Sequence, residues 1–190
     1  MRQKHLIAID LDGTLLNNDK KISTNSSTVL THLIEQGHIV VIATGRSNRM
    51  SILYYKELGL TTPLINSNGA FLHHPLDHSW GNYHTPLNHK TAIDIVDICY
   101  EFHSRNIVAA VHDSIYLDQY DKNIESFYGQ GHEKHGSLIV GSLKEKLTEN
   151  PTLMMLYPDK KHVETLTNTL NKFHAEVIDH RNWGGTFSHY

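Results

Sequence analysis

The chain reads as an α/β protein: a Rossmann-like parallel sheet built by strand–helix alternation, followed by an α+β unit. Three observations carry that expectation. Apolar runs at Leu6–Ile9, Ile39–Ala43 and Pro63–Ile65 alternate with helical patterns. Each run gives way to a polar turn holding a glycine: Asp10-Leu11-Asp12-Gly13-Thr14, Thr44-Gly45-Arg46 and Asn66-Ser67-Asn68-Gly69. From about Tyr83 the texture changes to helices between paired strands.

Leu6–Ile9 is short and continuously apolar, as expected of a parallel strand buried on both faces. Val29, Leu30, Leu33 and Ile34 form a helical stripe, opened by the polar cluster Ser23–Ser27 and closed by Gly37. Ile39–Ala43 is the second strand, and Ser47–Leu58 a helix closed by Gly59. Pro63–Ile65 opens the third strand. Tight turns between such elements imply right-handed crossovers and a parallel sheet. Ligands on such sheets bind beyond the carboxyl ends of the strands. Asp10, Asp12, Thr44 and Asn68 all lie at such ends, far apart in sequence and expected neighbours in space.

In the second unit, Ala92, Val96, Cys99 and His103 line one side of a helix starting near His89. Ile107–Val111 and Ile115–Leu117 read as strands around an Asp113-Ser114 turn. A short helix follows Ser142, and Pro151 blocks its continuation. Leu153–Tyr157 is a strand, and Val163, Leu166, Leu170 and Phe173 are a helical stripe. Glu176–Ile178 and Thr186–Tyr190 finish as strands. The expected division is 1–82 for the parallel unit and 83–190 for the α+β unit.

At 190 residues, 39% hydrophobic and 19% charged, the chain suits a soluble globular protein with a core. A net charge of −3 and the absence of a basic run argue against nucleic acid or anionic membrane as partners. No apolar stretch is long enough to span a bilayer, and the N-terminus lacks a signal-peptide layout. The single Cys99 makes no internal disulfide, so a reducing, cytoplasmic setting is expected. The 16 histidines are a compositional oddity. Neither His132/His135 nor His73-His74 has a metal-site spacing, and scattered surface histidines are the expectation.

The Asp10–Thr14 stretch is the most informative in the chain. Alternation along an extended segment sends the side chains of Asp10 and Asp12 to the same side. Like charges about 4 Å apart repel by roughly 4 kcal/mol at an effective dielectric near 20. A divalent cation, a shared proton or a division of catalytic labour offsets such a cost. A bare Asp-x-Asp-Gly also fits a plain turn after a strand. Thr44-Gly45 likewise fits a helix cap, Arg46 a surface ion pair, and Asn68-Gly69 a simple turn.

Three segments together resemble the haloacid dehalogenase superfamily of phosphohydrolases, and more narrowly its Cof-type, subclass IIB members. They are Ile7-Ala8-Ile9-Asp10-Leu11-Asp12-Gly13-Thr14-Leu15-Leu16, Val41-Ile42-Ala43-Thr44-Gly45-Arg46 and Ile65-Asn66-Ser67-Asn68-Gly69-Ala70. The resemblance implies the N-terminal part of a Rossmann-like core carrying an inserted α+β cap. It implies Asp10 as the nucleophile that forms an aspartyl-phosphate. Asp12 would be the acid/base, a role that favours phosphate-ester chemistry over dehalogenation. It further implies Thr44 as a donor to a phosphoryl oxygen, with backbone amides around Leu11, Asp12 and Gly45 cradling the phosphate. Arg46, Asn68 and Gly69 become substrate-side candidates. Mg²⁺ would be held by the Asp10 carboxylate and the Asp12 carbonyl oxygen.

The family pattern also uses a lysine beyond the cap and a later Gly-Asp-x-x-Asn-Asp segment, and neither occurs here. The expectation is therefore the N-terminal portion of a Mg²⁺-dependent phosphatase of small, sugar-phosphate-like metabolites. A non-catalytic module needing a partner chain is the alternative, and a phosphomutase the minor one. If the strand after the cap is missing, Leu6–Ile9 loses a neighbour, so another chain (a homo-oligomer) or a rearranged segment is expected to cover that edge.

Overall fold

The computed structural model describes residues 3–128 and 137–174. The described residues divide into two compact units, one of residues 3–85 with 127–128, the other of residues 86–126 with 137–174.

The first unit opens with β1 (Leu6–Ile9), which pairs in parallel with β2 (Ile39–Ile42) in the register Leu6↔Ile39 through Ile9↔Ile42. Between them runs α1 (Thr24–Glu35), whose first turn is capped by Ser23, the hydroxyl oxygen accepting from the Ser26 N–H at 3.1 Å. After β2 comes α2 (Asn48–Glu57), then β3 (Leu64–Asn66). A parallel bridge between Ala43 and Ile65 sets β3 beside β2. The helices end where expected, because Gly37 (φ 84°) and Gly59 (φ 61°) take up left-handed conformations that a Cβ disfavours. Leu11, Leu30, Val40, Ile42, Tyr55 and Leu64 are the heart of this unit's core.

An antiparallel hairpin, β4 (Phe71–His73) and β5 (Asn82–His84), extends the sheet from β3. It carries the first unit's sheet past the texture change read at about Tyr83. Its strands are short and rich in histidine, so the sequence offers no apolar alternation to mark them.

The second unit begins with α3 (His89–Glu101), capped by the Asn88 side chain, and continues through β6 (Asn106–Val111) and β7 (Ser114–Leu117). After α4 (Lys122–Tyr128) come β8 (Leu138–Val140), α5 (Leu143–Lys146), β9 (Leu153–Tyr157) and α6 (Val163–His174). The sheet order is β8-β7-β6-β9; β6 is antiparallel to both neighbours, and β7–β8 is parallel. Ile107, Ala109 and Val111 alternate along β6 and pack with Val96, Leu143 and Leu166 in one core.

Several expectations need correction. β1 is not buried on both faces: Leu6 is 69% exposed and its partner Ile39 is 49% exposed. Among the described residues β1 pairs only with β2. In α1 the core face centres on Leu30, while Val29 points to solvent. α3 stops before His103, which takes a left-handed φ of 49°, and Ile95 joins Ala92, Val96 and Cys99 on the buried face. The β6–β7 turn falls at His112-Asp113, with His112 at φ 52°, so Ser114 already belongs to β7. α4 and β8 have no counterpart in the sequence reading. Glu176–Ile178, Thr186–Tyr190, His132 and His135 lie outside the described residues.

Candidate active site

The carboxyl ends of β1, β2 and β3 lie side by side because the three strands are parallel neighbours. Asp10 leaves β1 in extended conformation and is exposed, and among the described residues no side chain pairs with it. Leu11–Leu15 then form a tight turn, closed by Leu15 N–H to the Asp10 carbonyl (3.2 Å) and Leu16 N–H to the Leu11 carbonyl (2.9 Å). Gly13 supplies the left-handed step at φ 73°. Leu11 and Leu15 are buried, which anchors the turn while Asp12 faces outward.

Asp12 is gripped by two cations. Arg46 donates from Nε to Oδ2 at 2.7 Å and from Nη2 to Oδ1 at 2.9 Å. Lys20 donates from Nζ to Oδ1 at 2.8 Å. The Arg46 hydrogen bonds are the main reason that the Asp12 carboxyl is lowered to about 2, burial opposing them and Lys20 adding to them. Arg46 is shifted the other way, raised by its bond to Asp12. Its side chain is only 11% exposed, against 43% for Asp12. The guanidinium lies 5.4 Å from the centroid of the Tyr54 ring and donates from Nη1 to the Met50 carbonyl at 3.4 Å.

The loops after β2 and β3 are latched together. Thr44 N–H donates to the Ile65 carbonyl (3.0 Å), Ser67 N–H to the Arg46 carbonyl (3.0 Å) and Asn68 N–H to the Thr44 carbonyl (3.2 Å). These bonds hold Ser67 (φ 50°) and Asn68 (φ 56°) in left-handed conformations that cost a non-glycine residue about 1–2 kcal/mol. Gly69 continues the turn at φ 94°. Gly45 leaves room for Asn68: a Cβ there would meet Asn68 Oδ1 at 2.9 Å. The buried Thr44 Oγ1 accepts from the Arg46 N–H at 3.2 Å.

Of the residues singled out in the sequence, the structure joins Asp12 to Arg46 and Thr44 and Gly45 to Asn68. Asp10 and Leu11 stand at the end of the neighbouring strand, and Gly69 follows Asn68 in its turn. Four supporting residues were not singled out. Lys20 lies in the Asn17–Lys21 turn, whose Asn-Asn-Asp run signals only a turn. Tyr54 reads as a core residue of α2. Asn66 is fully buried and donates from Nδ2 to Ser51 Oγ (2.7 Å) and to the Arg46 carbonyl (3.1 Å). An internal Asn at the end of an apolar strand was the available clue.

No cluster of three metal-binding side chains occurs among the described residues. The donors that the family resemblance would assign to a metal, the Asp10 carboxylate and the Asp12 carbonyl, are two hard oxygens. That chemistry suits Mg²⁺, which keeps most of its waters and commonly takes one or two carboxylates.

A parallel core with acidic, threonine and asparagine side chains at adjoining strand ends defines an α/β class whose site lies beyond the carboxyl ends of its strands. The family model for haloacid dehalogenase-like hydrolases matches residues 7–189, and the chain belongs to that family. It is 41% identical over 179 residues to 5-amino-6-(5-phospho-D-ribitylamino)uracil phosphatase YitU of Bacillus subtilis (strain 168). That match covers 94% of this chain and 65% of YitU, so the chain spans about two thirds of that relative's length. Among solved structures, a haloacid dehalogenase-like hydrolase from Bacteroides thetaiotaomicron superposes with a TM-score of 0.74 at 19% identity, covering 95% of this chain and 68% of that one. The subclass IIB sugar phosphatase BT4131 superposes with a TM-score of 0.66 at 18% identity, covering 87% and 63%. These structures share the mixed α/β fold with a parallel sheet expected from the sequence.

Proposed function

We propose that this chain carries the nucleophile and acid/base portion of a Mg²⁺-dependent phosphatase for small phosphorylated metabolites. The observation that supports it most is the juxtaposition of strand ends: Asp10 and Asp12 after β1, Thr44-Gly45-Arg46 after β2 and Asn68 after β3. In this reading an Asp10 carboxylate oxygen attacks phosphorus and the ester oxygen leaves, taking a proton from Asp12. A water then attacks phosphorus of the aspartyl-phosphate and gives its proton to Asp12, releasing phosphate and restoring Asp10. The Asp12 carboxylate held by Arg46 and Lys20 is the base form required for that second half; in the first half Asp12 must carry a proton, which the same two cations disfavour, so the acid step requires that grip to loosen. Thr44 and the amides of Leu11, Asp12 and Gly45 bind phosphoryl oxygens. Asp10 and the Asp12 carbonyl would hold Mg²⁺, which would supply charge neutralisation. Asn68 and Gly69 are the substrate-side candidates, while the Arg46 guanidinium is committed to Asp12.

YitU supports a phosphorylated ribityl compound as the substrate, within the wider sugar-phosphate-like class expected from the sequence. The test is phosphate release from a generic aryl phosphate, a ribityl phosphate and a hexose phosphate with Mg²⁺, beside Asp10→Asn. Turnover that vanishes in Asp10→Asn supports the reading; turnover that persists there overturns the nucleophile assignment.

A second reading is a module completed by a further chain, including a second copy of this one. The exposure of Leu6 and Ile39 on β1 and β2 favours it. Sedimentation of the chain at several concentrations separates a monomer from a self-associating form.

A further inference from the structure

Asp12 is 43% exposed, and a short carboxylate at that exposure ordinarily exchanges protein contacts for water. Here it meets a bidentate arginine and a lysine at once. Both cations trace back to one buried side chain. Tyr54, 7% exposed on α2, sets its ring against the Arg46 guanidinium. Its hydroxyl donates to the Lys20 carbonyl at 2.9 Å.

The Lys20 backbone needs that support, because it sits at φ 58°. Lys20 N–H donates to the Asn17 carbonyl (3.0 Å) and Asn17 N–H to the Lys21 carbonyl (3.0 Å). The Asn17 side-chain oxygen accepts from Asp19 N–H (3.0 Å) and Lys21 N–H (2.9 Å). An antiparallel bridge between Leu16 and Ile22 closes the base of the turn. A lysine in this conformation, pinned at its carbonyl, reaches Asp12 with Nζ at 2.8 Å.

We propose that Tyr54 and Lys20 are positioning residues for Asp12: Tyr54 holds Arg46 through its ring and the Lys20 main chain through its hydroxyl, so that two cations fix one carboxylate. The catalytic consequence rests on the acid/base role proposed above for Asp12; the positioning itself does not.

The test uses the whole 190-residue chain and two readouts. The first needs no turnover: solvent exchange of the Arg46 Nε–H by proton–nitrogen NMR, in wild type, Tyr54→Phe, Tyr54→Leu, Lys20→Met and the Tyr54→Phe/Lys20→Met double variant. Tyr54→Leu is expected to speed exchange about tenfold, and the double variant to exchange no faster than Lys20→Met alone. Unchanged exchange in Tyr54→Leu, or additive effects in the double variant, overturns the proposal. If Tyr54→Leu does not fold, the Tyr54→Phe cycle decides alone. The second readout is kinetic, on an aryl phosphate with Mg²⁺. Lys20→Met is expected to lower kcat with KM nearly unchanged. An unchanged kcat in an active wild-type background overturns the positioning role. A wild-type chain without turnover counts against the proposed phosphatase reading instead, and the exchange data still decide this one.

Discussion

Gly45 and Asn68 occupy one space: where a residue other than glycine would carry its Cβ, the Asn68 side-chain oxygen lies 2.9 Å away. Gly45→Ala must therefore displace Asn68 or the loop that carries it. The expected cost is about 1 kcal/mol, the low end for overpacking, because the obstructing atom ends an exposed side chain. In an Asn68→Gly background, which keeps the left-handed turn and removes the obstacle, Gly45→Ala should be nearly neutral. Urea denaturation of the four proteins reads this directly; equal costs in both backgrounds would rule out the contact as the cause.

Asp12 links the site to pH. Its carboxyl is lowered from 3.8 to about 2, chiefly by the Arg46 hydrogen bonds. A group whose folded pKa is depressed adds stability that is present above the unfolded value and lost as pH falls through the folded one. The window is therefore about pH 4 down to about 2. Solvent screening at this exposure discounts the contribution to about 1 kcal/mol. Denaturation in chelator across that window should show a steeper loss in wild type than in Asp12→Asn; parallel curves would refute the linkage.

The same residue separates chemistry from binding. Asp12→Asn keeps the side chain's shape but cannot shuttle a proton, so kcat should fall by about 10²–10⁴, the usual weight of general acid–base catalysis. Inorganic phosphate should still bind, measured by calorimetry with Mg²⁺ present. An equal loss of both would assign Asp12 to ligand binding instead.

Much of this was legible in the sequence because the informative residues sit at boundaries. Asp10, Asp12, Thr44, Gly45, Arg46 and Asn68 each follow an apolar run, and a parallel sheet gathers such positions at one edge. Lys20, Tyr54, Ser51 and Asn66 were not legible. Their roles depend on the turn Asn17–Lys21 meeting α2, and on α2 meeting the end of β3, relations that local periodicity does not encode. The exposure of Leu6 does not follow from its apolar run, which predicts the strand and not its neighbours; the expectation that Leu6–Ile9 lacks a neighbour came from the family pattern instead.

Cys99 offers a check on the second unit. It is fully buried on α3, and burial raises its thiol to about 11. Because the thiolate is the reactive form, the native chain should resist an aromatic disulfide reagent at pH 8 and react fully in denaturant. Rapid labelling of the folded chain would mean that α3 opens from its sheet.

Asn66 is the most demanding buried group in the first unit. Its amide nitrogen bonds both Ser51 Oγ and the Arg46 carbonyl, tying α2 to the loop that presents the guanidinium to Asp12. Its side-chain oxygen has no partner among the described residues. Asn66→Ala removes two hydrogen bonds, although the Arg46 carbonyl keeps the Ser67 N–H and the Ser51 hydroxyl keeps its bond to the Ser47 carbonyl. At a net value of about 0.5–1.5 kcal/mol for each lost bond, the variant should lose roughly 2 kcal/mol. Asn66→Asp keeps the size but brings an acceptor to two acceptors, the carbonyl and the hydroxyl oxygen, and should be worse than Asn66→Ala. Asn66→Ser, which retains one donor, should fall between wild type and Asn66→Ala. That order, read from urea midpoints at constant slope, follows from donor count; an Asn66→Asp variant as stable as wild type would show that the amide donor is not what joins α2 to the loop.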